Sequence, residues 1–200
     1  MLDSLIEALK EISIVEIIAV ITSIAYAVLA SKNNIWCWFF GILSPLFSMY
    51  ALYFYFQLYA EVYLQVYYIG MAVYGFYSWK YGSRDHKEKA IEVWSISRHS
   101  ILIISGLILT FTLGFYLKNY TEAASTYLDS FTTIFAIFAT FMTARRILEN
   151  WIYWIIIDGI SIYLYFDRGG NLFALLFLAY TIIAVYGFYN WRKTYRLNHV

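Results

Sequence analysis

The residues with the most chemistry to offer stand in one stretch, Arg145-Arg146-Ile-Leu-Glu149-Asn150-Trp151-Ile-Tyr153-Trp154-Ile-Ile-Ile-Asp158. An amide, two indoles, a phenol and a carboxylate head a run that is otherwise apolar enough to cross a bilayer. Polar and ionisable groups in hydrocarbon cost several kcal/mol unless they face a protein interior or a wet cavity. Asn150, Trp154 and Asp158 follow one another at intervals of four, so they share one face of a helix. The amide offers donors and an acceptor, the indole a flat π surface and one N–H, the carboxylate a negative charge. That stripe, with Trp151, suits a flat, hydrogen-bonding and cationic ligand, because indole faces attract cations by about 0.5–2 kcal/mol each.

Two other groups share this character. Asn34 and Trp38 stand four apart, as Asn150 and Trp154 do. Glu61, Gln65 and Tyr68 fall on one face of a further apolar segment, where a glutamine serves either a ligand or a neighbouring helix. Plainer readings compete with these. Trp at a span end is most often an interfacial anchor, and we read Trp79 and Trp191 so; Trp36 and Trp151 stand between anchoring and binding. Asp158 stands equally between ligand and helix–helix hydrogen bonding. Asp129 is expected to be solvated or capping, and Glu149 to pair with Arg145 one turn before it. Pro45, the only proline, removes an N–H and crowds the carbonyl of Gly41, which predicts a bend that could act as a gating hinge.

Other chemistries are missing from the sequence. There is no phosphate-cradling glycine loop, no nucleophile beside a positioned base and no His/Cys ligand set, so neither an enzyme nor a metal or organic cofactor is expected. His86, His99 and His199 are expected in loops or the tail. Cys37 is the only cysteine and forms no intrachain disulfide. The net charge of +1 gives no basic field for nucleic acid.

The elements that must carry these residues are membrane helices. The chain is 62% hydrophobic, against about 45–50% for soluble domains. Its 21 Tyr, 16 Phe and 7 Trp are more than two interfacial belts need, which suggests a phenol-lined interior. A spanning helix takes about 20 mostly apolar residues, and seven segments qualify: 12–30, 35–58, 61–79, 100–118, 128–144, 150–166 and 170–191. The first twelve residues read as an amphipathic helix on the membrane surface, with Leu2, Leu5, Ile6, Leu9 and Ile12 on one side. The Ala25-Tyr-Ala27 triplet resembles a signal cleavage site, but Asp3, Glu7 and Glu11 deny it the positive leader such a signal has. Of the 14 basic residues, only Lys10, Lys118 and Arg168 fall on the side of the N-terminus. The asymmetry places the N-terminus outside and the C-terminus in the cytoplasm.

The chain also repeats itself. Ala72-Val-Tyr-Gly-Phe-Tyr-Ser-Trp79 returns as Ala184-Val-Tyr-Gly-Phe-Tyr-Asn-Trp191, and Tyr68 and Tyr180 keep that register. Aligning Asn34 and Trp38 with Asn150 and Trp154 pairs spans one to three with spans five to seven and sets Pro45 opposite Ser161; Gln65 meets Phe177. The expected architecture is an all-α membrane protein of seven transmembrane helices, 3+1+3. Residues 1–99 hold the surface helix, the first three-helix repeat and a cytoplasmic loop; 100–118 form a linker helix; 119–200 hold the second repeat and the tail. Parallel repeats of this build rock around a substrate held near the midplane.

With these residues in view the chain resembles the PnuC family of bacterial vitamin transporters over about residues 13 to 192. The resemblance rests on Asn34-Ile-Trp-Cys-Trp38, on Glu61-x3-Gln65-x2-Tyr68 leading into Tyr74-Gly-Phe-Tyr-x-Trp79, on Glu149-Asn-Trp-x2-Trp154-x3-Asp158 with its WxxW pair, and on Tyr186-Gly-Phe-Tyr-x-Trp191. It implies a fold similar to a SWEET sugar transporter, a homotrimer with one path per subunit in the inner membrane, and facilitated diffusion made one-way by a cytoplasmic kinase. Nicotinamide riboside is the first ligand it suggests and thiamine the second, with riboflavin or deoxynucleosides in related branches. A sugar transporter on the same scaffold and a non-transporting receptor are the alternatives from other classes. The residues expected to bind are Asn34, Trp38, Gln65, Tyr68, Asn150, Trp151, Trp154 and Asp158.

Overall fold

The computed structural model describes residues 13–54, 59–82, 89–120 and 126–197, with side chains omitted for 59–61. The expected surface helix over the first twelve residues, the Glu61 side chain, and His86 and His199 lie outside the described residues. The described residues form seven helices: α1 (Ile14–Ser31), α2 (Cys37–Phe54), α3 (Tyr59–Tyr81), α4 (Ile96–Tyr120), α5 (Thr126–Ala144), α6 (Asn150–Asp167) and α7 (Asn171–Leu197). Each overlaps one expected span. α1, α2, α4, α5 and α7 are long and apolar enough to cross a membrane. α3 and α6 are diluted by the polar residues singled out above, Gln65 in one and Asn150 and Asp158 in the other.

Local chemistry sets several boundaries. Ser13 starts α1 with a capping box: its Oγ accepts from the Glu16 N–H at 3.2 Å while Glu16 Oε2 accepts from the Ser13 N–H at 2.9 Å. α1 and α5 both stop at a residue in the left-handed region, Asn33 (φ 59°) and Arg146 (φ 57°). In both turns the N–H of that residue bonds back, Asn33 to the Ala30 carbonyl at 2.9 Å and Arg146 to the Thr143 carbonyl at 3.0 Å. Asn34 caps the way into α2, its Oδ1 accepting from the Trp36 N–H at 2.9 Å.

Six helices close into a ring. α1 packs on α2, α2 on α3, α3 on α5, α5 on α6, α6 on α7, and α7 returns to α1; α4 packs on α5 from outside. The matching turns fix the internal register. The spacing that separates Asn33 from Arg146 also separates Cys37 from Asn150, where α2 and α6 begin, and Trp38 from Trp151. The counterpart of Trp38 is therefore Trp151, and that of Pro45 is Asp158. This displaces the alignment of Trp38 with Trp154 and of Pro45 with Ser161, because the turn geometry, not the Asn-x-x-x-Trp spacing, sets where each helix starts.

Glycine completes the match. A Cβ on Gly75 would lie 2.4 Å from the Trp38 ring and one on Gly187 2.7 Å from the Trp151 ring. Each third helix thus receives the indole of its own second helix flat against bare backbone. The two tryptophans read as interfacial anchors are the most buried of all: Trp79 and Trp191 are fully enclosed. The Trp79 Nε1–H donates to the Thr143 carbonyl at 3.1 Å, and the Trp191 Nε1–H to the Ala30 carbonyl at 2.9 Å. Both carbonyls already accept from the N–H of their own turn, so each indole adds a second hydrogen bond, made from the other half.

Two ionic details depart from the expectation. Asp129 accepts from Arg168 at 2.7 Å, tying α5 to the α6–α7 turn and raising the guanidinium pKa. Glu149 accepts from the Trp94 N–H at 3.3 Å and lies 3.9 Å from His99, which sits in the first turn of α4; Arg145 instead reaches the Tyr74 hydroxyl at 3.5 Å.

Gly75→Ala is expected to destabilise the protein by about 1–3 kcal/mol through overpacking against Trp38, whereas Gly70→Ala, with nothing within 4 Å of the added methyl, leaves stability unchanged or higher. Thermal unfolding of both variants in detergent checks the contrast.

Candidate functional site

The ring encloses a cavity of about 280 Å³, at the small end of the range of about 300–1,000 Å³ common for ligand pockets. All six ring helices contribute. Ser23 and Tyr26 come from α1, Trp38, Gly41, Ser44 and Pro45 from α2, and Gln65, Tyr68 and Ala72 from α3. Thr140 and Thr143 come from α5, Trp151, Trp154 and Asp158 from α6, and Phe177, Tyr180 and Ala184 from α7. Six of the eight residues expected to bind are brought together here: Trp38, Gln65, Tyr68, Trp151, Trp154 and Asp158.

The other two lie elsewhere. Asn34 is exposed in the turn before α2. Asn150 is fully buried behind the lining. Its Oδ1 accepts from the Thr143 hydroxyl at 3.0 Å and its Nδ2 donates to the Ile147 carbonyl at 2.6 Å. The Trp154 Nε1–H reaches the same hydroxyl at 3.4 Å. Thr143 thereby connects Asn150 to the lining indole, so the amide shapes the chamber by holding the end of α5 against the start of α6.

The walls follow the two-fold scaffold, but their chemistry does not. Pro45 faces the chamber from α2 where Asp158 faces it from α6. Gln65 stands in α3 where Phe177 stands in α7. In the turn-matched register Gly41 corresponds to Trp154, and Tyr26 to Ala139. A Cβ on Gly41 would lie 3.1 Å from the Tyr26 ring, while Trp154 packs on the cluster that contains Ala139. The bulky ring comes from the first helix in one half and from the second helix in the other. The Tyr180 hydroxyl forms a short hydrogen bond with Ser23 Oγ, closing the α7–α1 seam beside the cavity.

Several lining residues had no sequence signal. Ser23, Thr140 and Thr143 are ordinary in a helix, and Tyr26 is one phenol among many. Tyr180 could have been found from its register with Tyr68. Among the described residues no group of three or more His, Cys, Asp or Glu is placed to hold a metal.

A ring of bilayer-length helices around a small aromatic chamber with one buried carboxylate is the build of a multi-pass membrane transporter. The chain belongs to the family described as "Nicotinamide mononucleotide transporter", whose model matches residues 13–193. Curated relatives include the nicotinamide riboside transporter PnuC of Escherichia coli, 25% identical over 93% of this chain and 88% of the relative. Another is the riboflavin/roseoflavin transporter RibM of Streptomyces davaonensis, 23% identical over 82% and 77%. The crystal structure of the vitamin B3 transporter PnuC shares the fold, with a TM-score of 0.73 and 24% identity over 98% of this chain and 88% of that one. The relatives are transporters, not enzymes.

Asn150→Ala is expected to cost about 1–3 kcal/mol of stability, because the buried Ile147 carbonyl and Thr143 hydroxyl each lose one hydrogen bond. Its effect on ligand affinity should be smaller than that of Trp154→Ala. Chemical unfolding and ligand thermal shift on the two variants separate the roles.

Proposed function

We propose that this protein carries nicotinamide riboside across the bacterial inner membrane by facilitated diffusion. The observation that carries this reading is Asp158, 3% exposed, in a chamber whose other walls are aromatic, aliphatic or neutral polar. A buried carboxylate is costly unless a cation or proton answers it. The pyridinium of the riboside is a flat cation, and its ribose offers hydroxyls to Gln65, Tyr68 and Thr143. Trp154, Trp151 and Trp38 supply the faces for the ring. An inside-negative potential favours entry of one positive charge by about 2.3 kcal/mol per 100 mV, so modest accumulation needs no coupled ion.

On this reading the helices form a 3+1+3 arrangement similar to a SWEET transporter. Residues 1–99 and 119–200 carry the two repeats and α4 links them. The N-terminus lies outside and the C-terminus in the cytoplasm, three copies assemble as a homotrimer, and a cytoplasmic kinase traps the product. Asn34 and Asn150 act as neighbours of the binding residues. Thiamine is the second candidate, because its thiazolium is also a flat cation, and the RibM relative carries a different vitamin. A neutral sugar would stack on the same indoles but gain nothing from Asp158.

Uptake of labelled riboside into proteoliposomes tests the proposal. Trp154→Ala is expected to abolish flux with the protein still folded. Asp158→Asn should weaken binding of the cation by about tenfold, the equivalent of ~1.4 kcal/mol. Normal flux in the first variant, or an indifferent second, counts against a cationic vitamin. A thermal-shift panel of riboside, nicotinamide mononucleotide, thiamine and riboflavin identifies the preferred ligand.

A further inference from the structure

At the end of the ring where α1 and α5 terminate, the cavity is stopped by indoles. Trp38 and Trp151 line it. Trp79 and Trp191 are stacked against them, edge to face, with centroids 5.2 Å (Trp38–Trp79), 5.6 Å (Trp79–Trp191) and 5.5 Å (Trp151–Trp191) apart. A ligand leaving by this end needs these rings to separate, and the rings are held by the two seams between the halves.

The seams are related by the two-fold register, yet they are fastened differently. At the α3–α5 seam the Arg146 guanidinium lies 4.4 Å from the Trp79 ring centre and donates to the Lys89 carbonyl. The Lys89 N–H donates to the Trp79 carbonyl at 3.0 Å. Glu92 then bridges to the α5–α6 turn, its N–H to the Arg146 carbonyl and its carbonyl to the Leu148 N–H, both at 2.9 Å. Ile91 is buried in the indole cluster. The segment after α3 therefore sews that helix to the start of α6.

At the α1–α7 seam the Trp191–Ala30 bond is joined at this end by Asn190, whose Nδ2 donates to the Ser31 carbonyl at 2.9 Å. No comparable strap crosses this seam among the described residues. Asn33, in the place of Arg146, keeps a buried Oδ1 with no hydrogen-bond partner.

We infer that the gate at this end opens by the parting of α1 from α7, with Trp191 and Asn190 as its latch, while the strapped α3–α5 seam stays closed as the pivot. This rests on the transport reading, and it deepens that reading by saying which seam opens. The protein carries its own reporter: Cys37, the only cysteine, is fully buried in the same cluster as Ala30 and Trp191.

The test is the rate at which N-ethylmaleimide labels Cys37 in the full-length protein, compared across Trp191→Phe, Asn190→Ala and Trp79→Phe. Each Phe keeps an aromatic ring and loses the N–H. Loss of one such bond at the latch is expected to speed labelling by about fivefold for Trp191→Phe and Asn190→Ala, with Trp79→Phe within about twofold of the parent. Equal acceleration by Trp79→Phe, or no acceleration by the latch variants, overturns the inference. Should Trp191→Phe fail to elute as a single species, Asn190→Ala carries the same comparison. Labelling needs no substrate, so absent riboside flux in the parent protein would strike the transport reading while the order of labelling rates still decides the gate.

Discussion

A matched pair of indole hydrogen bonds crosses between the halves of this molecule, and the closed end of the chamber is built around it. An indole N–H in the last helix of each half reaches a carbonyl in the last turn of the first helix of the other half, at Thr143 and at Ala30. A buried indole N–H finds no water, and leaving it unpaired is costly. The pairing is therefore demanded by the rings, while each carbonyl, already accepting from its own turn, takes the indole as a second donor. Because the donors sit on large rings, the same contacts bring four indoles together and close one end of the chamber. The bare backbone at Gly75 and Gly187 lets those rings lie flush.

On this symmetric frame the lining is free to differ between halves. A carboxylate stands where the other half has a proline, a glutamine where it has a phenylalanine, and a tryptophan where it has a glycine. Such differences suit a ligand that lacks symmetry itself. They are tolerated because many of the contacts that hold the halves together run to backbone carbonyls rather than between lining side chains.

Much of the fold could be read from the chain. Apolar run lengths located all seven helices to within a few residues, since bilayer-scale hydrophobicity is a strong and simple signal. The repeated Tyr-Gly-Phe-Tyr motif falls in α3 and α7, where its glycine lets the indole of a neighbouring helix approach the backbone closely. The Asn-x-x-x-Trp echo misled, because Asn34 and Asn150 occupy different places in their turns: one is an exposed cap and the other a buried strut. Trp79 and Trp191 were read by their position near span ends, and composition cannot tell a ring facing headgroups from one facing another helix. The strap over residues 89–95 was invisible for a related reason. Its contacts are backbone-mediated and join parts of the chain far apart in sequence, so no local pattern announces them. Thr143 could not be recognised either, since its role arises only where two helix ends meet.

The exchange of bulk between Tyr26 with Gly41 and Ala139 with Trp154 has a bearing on how such a chamber could evolve. Volume inside a packed wall is shared between two helices, so enlarging one position alone collides with its neighbour and shrinking one alone leaves a hole. Single substitutions at these sites are then disfavoured whichever way they go, and a passage between ligand preferences requires two linked replacements. Related proteins with different cargoes should accordingly differ here by coordinated swaps, and intermediates with only one member changed should be rare.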